Sequence, residues 1–180
     1  MRAAANDFQQ DFYQLFGLSA QYRLDNELLD RRYHTLQAQV HPDKFAHLSE
    51  AERRVSMQWA TRINEAYQTL NNPAKRARYL LSLRGADTRQ ESNTSMPAEF
   101  LVAQMEWREA IQEAVEARNS GELDKLESRL QHETGALQEQ LAAKIDAEHD
   151  YETAAEIVRK LKFFERLAEE IGSAFDAIDI

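Results

Sequence analysis

The sequence predicts an all-α protein of two domains: an N-terminal helical hairpin with short flanking helices, and a C-terminal antiparallel three-helix bundle. Three observations carry this expectation. Apolar residues recur at spacings of three and four over most of the chain, the pattern of amphipathic helices. Only five Gly and three Pro occur in 180 residues, with 43% hydrophobic and 29% charged residues, which suits ordered helices and neither a disordered chain nor an all-β domain. The helical rhythm lapses at Arg84 to Pro97 (RGADTRQESNTSMP), where Gly, Ser, Thr, Asn and Pro accumulate. The expected domains are residues 7–83 and 98–178, with 84–97 as the linker.

In the first domain a short aromatic-rich helix around Asp11 to Phe16 ends at Gly17. A second runs from about Asp25 to His41 and lines up Leu29, Tyr33, Leu36 and Val40 as an apolar stripe. Its Arg31, His34, Thr35 and Ala38 face outward, and Arg32 lies beside the stripe. Pro42 disfavours helical geometry at His41 and stops the helix. A third helix opens with the capping box Ser49-x-x-Glu52 and is expected to bury Val55, Trp59, Ile63, Ala66, Tyr67 and Leu70. A fourth follows Pro73, through Tyr79 to Leu83.

After the linker come three apolar series, separated at Asn119-Ser120-Gly121 and at the polar corner His149-Asp150. The first is Phe100, Ala103, Trp107, Ala110, Ile111 and Ala114. The second is Leu123, Leu126, Leu130, Leu137, Leu141 and Ile145, and the third is Ala154, Val158, Leu161, Phe164, Ala168, Ile171 and Phe175. Short connections between such segments make neighbours antiparallel.

With no Cys there is no disulfide framework, thiolate zinc site or cysteine-held cluster. No apolar run approaches the roughly 18 residues that span a bilayer, so a cytoplasmic protein is expected, with residues 1–6 a small polar extension. The net charge of −9 is uneven: residues 1–83 carry 11 Lys/Arg against 9 Asp/Glu, and residues 84–180 carry 11 against 22. The second half is therefore a poor surface for nucleic acid or anionic membrane and a better one for a basic protein partner.

Between the second and third helices sits His41-Pro42-Asp43-Lys44-Phe45. Its chemistry suits docking better than catalysis. Pro42 reduces the ordering cost of binding, and Asp43 offers a carboxylate for which the planar fork of an Arg is a natural partner. No Gly-rich phosphate loop, nucleophile motif or second carboxylate pair accompanies it. The order short helix, long helix, His-Pro-Asp, long helix resembles the J-domain family. Asp11-Phe12-Tyr13-Gln14-Leu15-Phe16-Gly17, Ile63-Asn64-Glu65-Ala66-Tyr67-Gln68-Thr69-Leu70 and Arg76-Ala77-Arg78-Tyr79 extend the likeness over about residues 8–83. The resemblance implies that His41, Pro42, Asp43 and Lys44, with the outward Arg31, contact a DnaK-type chaperone ATPase and couple docking to ATP hydrolysis. One departure is that Gln37 and Gln39 stand near the helix end where this family usually carries Lys or Arg, which favours a dedicated chaperone partner.

No Gly/Phe-rich linker or zinc region follows, unlike a general-purpose J-protein. Instead Tyr79-Leu80-Leu81-Ser82-Leu83-Arg84-Gly85, the run Glu99 to Glu109 (EFLVAQMEWRE) and Val158-Arg159-Lys160-Leu161-Lys162-Phe163 resemble the HscB family of iron-sulfur cluster biogenesis. That resemblance implies HscA as the ATPase partner and the scaffold IscU as the client. It also implies that Leu101, Val102, Met105, Glu106, Glu109, Glu113 and Phe163 form the scaffold-binding face. Helical projection supports such a surface separately: Leu101 and Met105 lie beside the buried stripe, Val102, Glu106, Glu109, Glu113 and Glu116 lie opposite it, and Phe163 falls more than a quarter turn from the stripe of Val158, Leu161 and Phe164.

The reading that follows is a non-enzymatic co-chaperone without a cofactor. Alternatives stay open: a J-protein for another client, a metal-dependent enzyme using His34, His41, His47 and Asp43, or a purely structural helical protein. The competing account of the second-domain face makes the acidic stripe ordinary solvated surface and packs the outlying apolar residues against the first domain.

Overall fold

The computed structural model describes residues 9–40, 49–86 and 97–178. Helices make up nearly all of them, and no strand occurs among the described residues. The chain folds into two compact units, one ending at Leu80 and the second beginning at Leu81.

In the first unit α1 (Phe12–Phe16) is short because both its ends are fixed by sequence. Asp11 and Gln14 form a reciprocal capping box, and Gly17 closes the helix in the left-handed conformation at φ 62°. A Cβ on Gly17 would also lie 2.8 Å from a guanidinium nitrogen of Arg32, which donates to the Phe16 carbonyl at 3.2 Å. Helix α2 (Asn26–Val40) runs antiparallel to α3 (Glu50–Asn71). The pairing is explicit in the side chains: Tyr67 donates to Asp30 at 2.9 Å, Tyr33 stacks on Tyr67 at 4.0 Å, and Ser56 reaches Val40. The Asp30 carboxylate that accepts from Tyr67 holds that phenol above its usual pKa. Ser49 and Glu52 cap α3 reciprocally, as the sequence predicts.

Helix α4 (Pro73–Leu83) carries Tyr79 against α1, its ring stacked on Phe12 at 4.4 Å and its hydroxyl accepting from the Phe12 amide at 2.9 Å. Burial pushes the Tyr79 phenol up. Arg76 is buried, donating to the Leu70 carbonyl at 2.8 Å with its guanidinium over the Tyr22 ring.

Two expected core positions differ in the structure. Val55 is 43% exposed and Ser56 takes the inward place, because the contact face of α3 follows Ser56, Ile63, Ala66 and Leu70, and Val55 stands about 100° around the helix from Ser56. On α7 (Tyr151–Ile178) Ala168 is exposed while Leu167 is fully buried. Leu167 falls three residues after Phe164 and four before Ile171, so it stays on the inward arc that the alternative spacing leaves.

The second unit comprises α5 (Ala98–Glu116), α6 (Ser120–Ala142), a π-helical segment (Ala143–Glu148) and α7. Its core joins Trp107, Ile111 and Ala114 of α5, Leu123, Leu126 and Leu130 of α6, and Phe164, Leu167, Ile171 and Ala174 of α7. Asn119 caps α6 by accepting from the Glu122 amide at 3.1 Å. The turn into α7 passes through His149 in the left-handed region at φ 56°, and Asp150 accepts from the Thr153 amide at 3.2 Å. The three helices pack as the antiparallel bundle expected from their spacing and short connections. No helix among the described residues is long and apolar enough to cross a membrane.

Candidate functional site

Two faces were singled out by sequence, one in each unit. In the first unit the residues His41, Pro42, Asp43 and Lys44 lie outside the described residues. So does His47 of the alternative metal set. Arg31 is described: it stands on the exposed side of α2, in a loose i,i+4 pair with Glu27 at 3.6 Å. Solvent competes with a pair this exposed, so the guanidinium remains available to an anionic partner. His34, Thr35 and Ala38 share its exposure, whereas Arg32 is engaged on the Phe16 carbonyl. Among the described residues no three His, Asp or Glu side chains are grouped to hold a metal ion.

In the second unit the face is built on α5. Burial of Trp107, Ile111 and Ala114 fixes the rotation of the helix, and that rotation turns Leu101, Val102 and Met105 to solvent at 51%, 54% and 72% exposure. Six large hydrophobic side chains are exposed among the described residues, and these are three of them, gathered within five positions of one helix. Scattered apolar exposure is ordinary, but a cluster is a docking surface in waiting. Glu106, Glu109 and Glu113 continue from it along the exposed side. Among the described residues none of the three has a cationic partner. The nearby Arg108 is turned toward Glu170 of α7, 3.9 Å away. The face is thus an apolar patch bordered by carboxylates without a cationic partner among the described residues, an arrangement chemically complementary to apolar and basic groups.

Phe163 does not share that exposure. It is buried at 7% and belongs to the bundle core, contrary to its place outside the expected stripe. Helix α7 packs against both α5 and α6, so its apolar arc must be wider than a stripe that meets one neighbour. Phe163 fills the flank facing the first turn of α5, edge-on to Phe100. It does line a surface recess of about 280 Å³ between the three helices, together with Phe100, Trp107, Phe164, Lys160 and Arg129. Arg129 lies over the Trp107 ring at 4.5 Å and pairs with Glu133 at 2.8 Å. Sequence reasoning missed this recess. The available signal was the placement of Lys160 one turn before Phe163 and Phe164, since helix residues three and four apart share a face.

Known proteins match both units. Residues 11–79 match the family described as the DnaJ domain, and residues 96–172 match the HSCB C-terminal oligomerisation domain. A co-chaperone protein HscB homolog of Aromatoleum aromaticum is 49% identical over 96% of this chain and 98% of its own length. The homolog of Paraburkholderia phymatum is 50% identical over 98% and 99%. Among solved structures, chaperone HscB from Vibrio cholerae superposes with a TM-score of 0.83 at 36% identity, covering 93% of this chain and 98% of that one. Human co-chaperone protein HscB gives 0.84 at 30% identity, covering 91% and 81%. A J-domain followed by the HscB-type bundle, with half of all residues shared across nearly the full length of such relatives, places the chain in the HscB family of J-domain co-chaperones.

Proposed function

We propose that this chain is a non-enzymatic adaptor of the bacterial cytoplasm that holds the iron-sulfur scaffold IscU on the α5 face and delivers it to the DnaK-type chaperone HscA. Through His41, Pro42, Asp43, Lys44 and Arg31 it stimulates ATP hydrolysis by HscA, assisting cluster assembly or transfer. The observation that carries the client half of this reading is the exposure of Leu101, Val102 and Met105 beside Glu106, Glu109 and Glu113, which have no cationic partner among the described residues. Covering one such apolar side chain is worth roughly 1.5–3 kcal/mol, so two or three of them form an adequate centre for an interface whose acidic border sets orientation and encounter rate. Phe163 contributes from beneath, as a wall of the recess beside Phe100.

The test measures IscU binding and HscA ATP turnover with the full-length protein and its Asp43→Asn variant. Asn keeps the shape of Asp and removes the charge offered to an Arg. Loss of one partner of a buried, hydrogen-bonded charge pair costs about 2–5 kcal/mol, so the variant should bind IscU as the parent does and stimulate hydrolysis hardly at all. Parental stimulation by the variant would discard the docking role of the tripeptide. A parent protein that ignores IscU would assign the α5 face to another client.

A further inference from the structure

With no Cys, the sulfur chemistry of this chain belongs to its four Met. Met1 and Met96 lie outside the described residues, and the other two stand in unlike surroundings. Met57 on α3 is 64% exposed among polar and charged side chains, Arg54, Gln58, Thr61, Arg62 and Glu65. Met105 on α5 is 72% exposed, the most of any large hydrophobic side chain among the described residues. Leu101 and Val102, four and three positions before it on the same helix face, are exposed with it, so its thioether belongs to an apolar patch. Glu106 and Glu109 follow it on the exposed side, and the Arg108 guanidinium is directed to Glu170.

We propose that Met105 is a redox-modified site, whose oxidation to the sulfoxide by a peroxide weakens client binding to the α5 face. The inference rests on the reading that this face binds IscU. In the step a lone pair of the Met105 sulfur attacks one oxygen of hydrogen peroxide. An S–O bond forms, the O–O bond breaks, and the departing hydroxide takes the proton of the transferred oxygen and leaves as water. Sulfur loses two electrons and the peroxide gains them. The product puts a polar acceptor where an apolar side chain stood. In the free protein that oxygen is hydrated, but under an apolar partner it must shed its water, and the carboxylates of Glu106 and Glu109 are acceptors that cannot replace it. The same change at Met57 joins surroundings that are already polar. A methionine sulfoxide reductase reverses the step, the oxygen leaving as water while two reductase thiols become a disulfide, so the face regains its apolar centre without new synthesis.

The experiment treats the full-length protein and its Met105→Leu and Met57→Leu variants with hydrogen peroxide, removes the oxidant, and maps sulfoxides by peptide mass spectrometry. IscU affinity is measured for each before and after treatment. The oxidised parent should bind at least about tenfold more weakly than the untreated parent, the equivalent of about 1.4 kcal/mol. Its melting temperature should stay within about 2 °C, because the modified side chain is exposed. Met57→Leu should lose affinity on oxidation as the parent does, whereas Met105→Leu should keep its own starting value. Methionine sulfoxide reductase with dithiothreitol should return the oxidised parent to its initial affinity. Unaltered affinity in a parent whose Met105 is mapped as the sulfoxide, or an equal loss in Met105→Leu, overturns this inference alone. A Met105 that peroxide leaves unmodified while Met57 is converted overturns it as well. A parent that ignores IscU before any treatment overturns the client reading and this inference with it.

Discussion

The ring of Phe163 on α7 meets that of Phe100 on α5 edge-on, with centroids 5.4 Å apart and planes 79° apart. This contact fastens the first turn of α5 to the middle of α7, and it makes Phe163 a stability residue before it is a binding residue. Truncation of a buried Phe to Ala typically costs about 3–5 kcal/mol. Phe163→Ala should therefore lower the melting temperature of the second unit by more than about 10 °C, since 1 kcal/mol moves a domain of this size by roughly 4–8 °C. A calorimetric shift below about 2 °C would contradict its place in the core.

Leu101 and Met105 should separate cleanly from that behaviour. Both are more than half exposed, so the double change Leu101→Ala and Met105→Ala should leave the melting temperature within about 2 °C of the parent. Binding to IscU should weaken by at least about tenfold, the equivalent of about 1.4 kcal/mol. Titration calorimetry alongside thermal denaturation measures both, and parental affinity in the folded variant would remove the patch from the interface.

Salt should act on the acidic border and spare the apolar centre. Exposed charges are screened within about 8 Å at physiological ionic strength, so affinity for IscU should fall as salt rises. Replacing Glu106, Glu109 and Glu113 by Gln should flatten that dependence. An unchanged slope would make the three glutamates solvated surface and nothing more.

The corner before α7 gives a pH dependence of defined sign. The Thr153 hydroxyl and then its amide hydrogen-bond the Asp150 carboxylate, and with Lys144 at 3.4 Å they hold its pKa below the usual carboxylate value. A depressed carboxyl contributes stability that is present above the ordinary Asp pKa and is lost as pH falls through the folded value. Acid below about pH 4 should thus loosen the start of α7, visible in the NMR shift of the Thr153 amide. Asp150→Asn, which can still cap but does not titrate there, should abolish that transition. Lys144 has the opposite sign, its pKa raised chiefly by the hydrogen bond to Glu148, so its contribution holds below the ordinary Lys value and fades only as pH rises past it.

Most of the helices were legible in the sequence because many of their boundaries have a local cause. Asp11, Ser49, Asn119 and Asp150 supply caps, Gly17 supplies a left-handed stop, and Pro73 opens α4. What escaped reading depends on how many neighbours a helix has. A single-stripe projection suffices for α2, where Leu29, Tyr33, Leu36 and Val40 all turn inward to some degree. It fails on α7, which has two partners, and so it misplaced Phe163 and favoured Ala168 over Leu167. The exchange of Val55 for Ser56 has another cause, because hydrophobicity carries no information about a hydroxyl that can donate to a carbonyl of the neighbouring helix, as Ser56 does to Val40. The π-helical segment at Ala143–Glu148 likewise follows the spacing Leu141 to Ile145, which a continued α-helix would show equally well.

The beginning of α5 is capped sparingly. Pro97 precedes it and offers no side-chain acceptor, so the Phe100 and Leu101 amides both turn to the Pro97 carbonyl, at 2.8 and 3.3 Å. Although Phe100 holds the inward side of this turn against Phe163, Leu101 and Val102 lie at the end of α5 that lacks a side-chain cap, where helix opening starts. A partner seated on them closes down these openings as it binds, so helix completion and association become one thermodynamic event. The heat capacity change of IscU binding should accordingly be more negative than the apolar area of the interface alone supplies, and placing Ser at position 97 as a cap should shrink that excess while raising affinity.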